Sequence, residues 1–145
     1  MKPKAFLSQL EHGRIVDAIR AAEGRCRGEV RVHVSGQKVD DAQAAARAQF
    51  ETLGMAQTAE RNGVLIYVAP ESQTFAVIGD SGIHEHCGAG FWTDVAAVMQ
   101  DDFRAGRFTD GIVKGVERTG AALAEWFPRT DAGDRNELSD DVSQD

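Results

Sequence analysis

The sequence predicts an α/β fold: a three-layer α/β/α sandwich, with a mixed, mostly parallel sheet of about four or five strands and helices on both faces. Three observations predict it. GEVRVHV and VLIYVA are apolar runs rich in β-branched residues, separated by the alanine-rich segment DDAQAAARAQFETLGM, which makes a parallel βαβ unit. TFAVIGD follows VLIYVA after the short loop Pro70–Gln73, which makes a hairpin and turns the third strand antiparallel. Two apolar stripes with helical spacing come next.

Taken in order, Ser8-Gln9-Leu10-Glu11 has the S-x-x-E spacing of a capping box, and Ile15, Ala18, Ile19 and Ala22 continue with helical spacing. A helix over about residues 8–23 is expected, closed by Gly24. In the first strand Val30, Val32 and Val34 alternate with Glu29, Arg31 and His33, so His33 is expected to be partly exposed. Asp40 and Asp41 suit a helix N-terminus, and alanine is the best helix former, so the second helix runs from there to Gly54. VLIYVA reads as a strand buried on both faces. Trp92, Val95, Val98, Met99 and Phe103 mark a helix over 91–103, and Ile112, Val116, Gly120, Leu123 and Phe127 mark another over 108–127, stopped by Pro128. These stripes are core. Residues 1–128 therefore form one domain. Residues 129–145 form an acidic tail with six Asp or Glu, expected to be disordered or loosely docked, with Leu138 and Val142 as its available anchors.

Composition narrows the partners. Sixteen Lys and Arg face 23 Asp and Glu, for a net charge of −7 and a pI near 5.0. Nucleic acid and anionic lipid both select basic surfaces, so neither is expected. No run approaches the roughly 20 apolar residues of a membrane span. Residues 1–14 lack a long apolar stretch, so a signal peptide is not expected and the cytoplasm is the expected location. Cys26 and Cys87 form no CxxC and read as two reduced thiols. A monomer is the expected state.

The stretch FAVIGDSGIHEHCG, residues 75–88, holds the residue types that most suggest chemistry. A serine nucleophile at Ser81 needs a histidine base, and none lies beyond His86. His84 and His86 sit two apart, which on a helix sends them to different sides, and H-E-x-x-H is absent, so zinc is not expected. Gly79 and Gly82 read as turn residues with φ above zero. The topology brings the starts of GEVRVHV and VLIYVA to the same sheet edge as the end of TFAVIGD. Glu29, Arg61, Asn62, Asp80 and the 79–85 loop should therefore meet. Asp80 and Glu85, with Asn62 as a neutral oxygen donor, make a candidate site for a hard divalent cation such as calcium; the alternative is a solvated turn in which Arg61 and Asp80 form a surface ion pair.

The blocks RNGVLIYVA, TFAVIGDSGIHE and DDFRAGRFTDGIVKGVE, in that order, resemble the TPM domain family, over about residues 5–128. NELSDDVS resembles the ending of small soluble bacterial members. The resemblance implies an α/β/α sandwich, calcium binding, and the acid phosphatase activity ascribed to plant, thylakoid-lumen members. Asn62-Gly63-Val64-Leu65 matches the family's NGVL block, and Phe103, Gly106, Gly111 and Ile112 match its F-x-x-G…G-I block. At the family's G-L-E turn this chain has Gly82-Ile83-His84, so His84 replaces the glutamate, and Ala89 stands near the position of a following aspartate. Three readings result. The first is a calcium-binding module at Asp80, Glu85 and Asn62. The second is metal-assisted phosphatase chemistry, with Arg61 holding the phosphate and His84 as general acid. The third is a protein-interaction module that uses the acidic tail.

Overall fold

The computed structural model describes residues 1–129 and 142–145. Among them are helices α1 (Pro3–Gln9), α2 (His12–Glu23), α3 (Ala42–Thr52), α4 (Ser81–Cys87), α5 (Ala89–Arg104) and α6 (Phe108–Trp126). The strands are β1 (Glu29–Val34), β2 (Gly63–Ala69), β3 (Thr74–Gly79) and β4 (Ser143–Gln144). The sheet order is β3-β2-β1-β4. β1 pairs parallel with β2 and with β4, and β3 pairs antiparallel with β2. The expected mixed, mostly parallel sheet is present.

All seven residues of β2 are buried, as their continuous apolar run requires of a central strand. On one face Val30, Val32, Val64, Ile66 and Val77 pack with Ile15, Ile19, Met99, Ile112 and Leu123 from α2, α5 and α6. On the other face Leu65, Tyr67 and Ala76 pack with Ala46 and Phe50 of α3. Burying each large aliphatic side chain contributes about 1.5–3 kcal/mol, so these two layers hold the sandwich together.

The expected helix over 8–23 is two helices. Pro3 starts α1 early, since proline is well placed in a first helical turn. Leu10 then turns extended and enters the core, and the Glu11 N–H donates to Thr109 Oγ1 of α6 at 3.0 Å. The capping box does not form: Ser8 Oγ donates back to Ala5 O, and Glu11, the N-cap of α2, makes no side-chain cap. Seven-residue helices are not stable alone, needing roughly 12–15 residues in water. α1 is held by Phe6, whose ring lies 4.9 Å from that of Phe108.

One further expectation is corrected, and one of the two states expected for the tail is found at its end. His33 is 1% exposed, not partly exposed. Its strand is internal, with β2 on one side and β4 on the other, and its ring stacks on Tyr67 at 5.6 Å. The end of the tail is docked: Val142 is buried in the core, and Ser143 and Gln144 pair with His33 and Val34. Leu138 lies outside the described residues.

Candidate functional site

The hairpin and the parallel pair bring three chain ends to one sheet edge. Glu29 is opposite Gly63 at the starts of β1 and β2, and Gly79 at the end of β3 is opposite Val64. The Asp80 N–H extends the ladder by donating to Gly63 O at 2.9 Å. The next residues are helical. Asp80 is the N-cap of α4, with its side chain accepting from the Ser81 N–H at 2.7 Å. The GDS block is therefore a strand end followed by a helix cap, and Ser81 belongs to the first helical turn.

Gly82 is required by close approach rather than by conformation. Its φ is not positive; among the described glycines only Gly54, Gly88 and Gly106 are. A Cβ at Gly82 would collide with the carbonyl oxygens of Glu60 and Arg61. The Gly82 N–H donates to Arg61 O at 2.8 Å, fastening α4 to the turn before β2. Gly79 is also not in the positive-φ region, and a side chain there would run into the Trp92 ring.

Arg61 has φ of 53°, a conformation uncommon outside glycine. It aims its guanidinium at Asp80: Nε donates to Oδ2 at 2.6 Å and Nη2 donates to Oδ1 at 2.8 Å. The carboxylate is 6% exposed and the arginine side chain 50% exposed, so the pair has a buried anion and an accessible cation. The Asp80 bonds push the Arg61 pKa further above its ordinary value.

The sequence-selected residues do not all converge. Arg61, Asp80 and His84 line one cavity of about 660 Å³, together with Phe50, Phe75 and Trp92. Asn62 is buried, and its amide donates to Arg27 O at 3.3 Å, beside β1. Glu85 is exposed on α4 and is not part of the cavity lining. Among the described residues no cluster of three or more His, Cys, Asp or Glu is placed to hold a metal. The two histidines of HEHC are exposed on α4 and lie against different tryptophans. His84 Nδ1 accepts from Trp92 Nε1 at 2.9 Å, which leaves its proton on Nε2 when neutral. His86 stacks on Trp126 at 4.6 Å. Cys26 and Cys87 are free thiols, both with pKa raised, chiefly by burial.

Trp92, which packs over Gly79 and fixes His84, was legible only as part of an apolar helical stripe. The buried Asp102 was not singled out either. It accepts from Arg107 Nε at 2.9 Å and lies 2.9 Å from Lys114 Nζ.

A family model for the TPM domain matches residues 1–122. The chain belongs to the TPM domain family. The BA42 protein from the psychrophilic bacterium Bizionia argentinensis, known from a solution NMR structure, is 41% identical, with 93% of this chain and 92% of that one covered and a TM-score of 0.85. The N-terminal domain of cg2496 from Corynebacterium glutamicum is 12% identical, covers 91% of this chain and 82% of that one at a TM-score of 0.56, and is similar in fold alone. No curated protein matches the chain. No helix among the described residues is long and apolar enough to cross a membrane.

Proposed function

We propose that this TPM domain is a cytoplasmic binding module that takes a divalent cation, calcium, at the cavity where β3 ends, with Asp80 as its anchoring carboxylate. One observation carries the reading: a buried carboxylate opens onto a cavity at a strand end and is neutralised by a half-exposed arginine. The donor set is incomplete as it stands. Calcium takes 6–8 oxygen ligands. Asn62 is engaged at the neighbouring strand, and Glu85 is outside the cavity. Arg61 competes for the same oxygens, so the affinity is weak and set by how readily the arginine swings out. The arrangement favours binding over phosphate-ester hydrolysis, because the arginine that hydrolysis would use for the phosphate is held by Asp80 through two of its nitrogens.

The test is calcium titration of the full chain, followed by residue-resolved NMR and melting temperature. Calcium should shift signals around Asp80 and raise the melting temperature. Asp80→Asn should abolish both effects, and Arg61→Gln should strengthen binding by removing the competing cation. Absence of any response at millimolar calcium in both wild type and Arg61→Gln would eliminate the reading.

A further inference from the structure

Among the described residues β3 is the edge of the sheet, and none of them pairs with its outer side. In an antiparallel pair the residues alternate between bonding the neighbour and facing away from it. Asp80 bonds Gly63, so in the register of this hairpin Ile78, Ala76 and Thr74 also bond β2. The backbone N–H and C=O groups of Phe75, Val77 and Gly79 therefore point outward. An open edge carrying unpaired backbone groups is a template for another strand, and proteins ordinarily blunt such edges with charge or proline. TFAVIG contains neither.

The edge lies at the floor of the cavity, between two helical walls. On the α5 side the wall is uncharged: Trp92, Thr93 and Ala96, beside the Phe75 ring. On the α3 side it is polar, with Gln43, Arg47 and Glu51. Arg47 is exposed and makes no ion pair with any described residue. Side chains of an added strand alternate between the two faces. One set would face an apolar wall, and the other a polar wall on which Arg47 is the cation and Glu51 lies one turn further along α3.

We propose that this slot receives one extended segment of a partner protein, which pairs with Phe75, Val77 and Gly79 as a fifth strand. Its apolar side chains lie against α5 and a carboxylate lies against Arg47. The unpaired Arg47 on the α3 wall favours a segment that brings a carboxylate over an identical edge, because TFAVIG carries none. Pairing of two copies edge to edge would instead protect the outward amides of the free chain as its concentration rises, and that result would overturn the proposal. The proposal goes beyond the cation reading: it uses the length of β3 and does not require Asp80 to release Arg61.

The experiment uses the ¹⁵N-labelled full chain. In the free protein the amides of Phe75, Val77 and Gly79 should exchange with solvent faster than those of Ala76 and Ile78. The probe is an acetylated, amidated heptapeptide of alternating valine and threonine, with glutamate in place of the central threonine. Adding it should shift the three outward amides together and slow their exchange at least tenfold. A version N-methylated on the amides that would pair should bind at least tenfold more weakly. Arg47→Glu, on an exposed helix face, should weaken the probe about tenfold, and a central lysine in the probe should restore binding. The proposal is also overturned by any of four results: outward amides already as protected as their neighbours, no response up to millimolar probe, equal binding of the methylated peptide, or no effect of Arg47→Glu on affinity.

Discussion

Gly82 has no room for a methyl group. The carbonyls of Glu60 and Arg61 occupy the place where a Cβ would go, and they are backbone atoms that cannot rotate aside. Overpacking of this kind costs about 1–3 kcal/mol, and here it would also stretch the bond from Gly82 to Arg61. Gly82→Ala should therefore lower the stability measured by urea denaturation by about that amount. It should also loosen the Arg61–Asp80 pair, seen as a change in the Arg61 Nε–H signal. A variant as stable as wild type would show that α4 is free to shift. The sequence pointed to a turn glycine with φ above zero, because it shows that a glycine is wanted but not which atoms come near it.

The helices are joined by buried charge as well as by apolar stripes. Asp102, near the end of α5, is 1% exposed and sits between Arg107, just before α6, and Lys114 within it. Lys114 and then Arg107 hold its carboxyl below the ordinary 3.8. A carboxyl with a depressed folded pKa contributes stability that is present above its unfolded value and lost as pH falls through its folded value. Asp102→Asn should thus lower the melting temperature at neutral pH, with the gap to wild type narrowing below about pH 4. Parallel melts of both proteins from neutral to acid pH would check it, and a gap that does not change with pH would exclude the ion pairs as its cause. The stripes of α5 and α6 were readable because their period is local. The charge cluster was not, because its members meet only after the turn at Gly106 reverses the chain.

Across the whole molecule the sheet is completed from the far end of the chain. His33 Nδ1 lies 2.8 Å from Ser143 Oγ, and Nε2 lies 3.4 Å from Asp145 Oδ2. Asp145 also accepts from Ser35 Oγ at 3.0 Å and from the Gly36 N–H at 2.6 Å. Burial pushes the imidazole below its ordinary 6.5; Asp145 opposes this, and Arg31 adds to it. For Asp145 burial acts upward, but the bonds from Gly36, Ser35 and His33 outweigh it and hold the carboxyl low. A base with a depressed folded pKa binds fewer protons folded than unfolded, so its contribution is fully present above 6.5 and is lost as pH falls below that value. Urea midpoints should therefore drop between about pH 7.5 and pH 5.5, and the drop should be smaller in His33→Gln. Amide protection at Gln144 should fall over the same range, since β4 docks beside His33. An unchanged pH profile in the variant would assign the effect to another group.

Local pattern was enough to specify the βαβ unit, the hairpin, the two apolar helical stripes and the family, because periodicity, turn residues and motif order all operate over a few residues. Composition likewise pointed away from nucleic acid through the acidic balance. Three features depended on contacts distant in sequence. Thr109 splits the first helix in two, α4 buries the carboxylate of the Arg61–Asp80 pair that the topology had already brought together, and the tail's last residues bury His33. Each is a polar group whose partner lies 19 or more positions away along the chain. The pattern around it shows that it is polar, but only the fold shows whether it meets water or a partner.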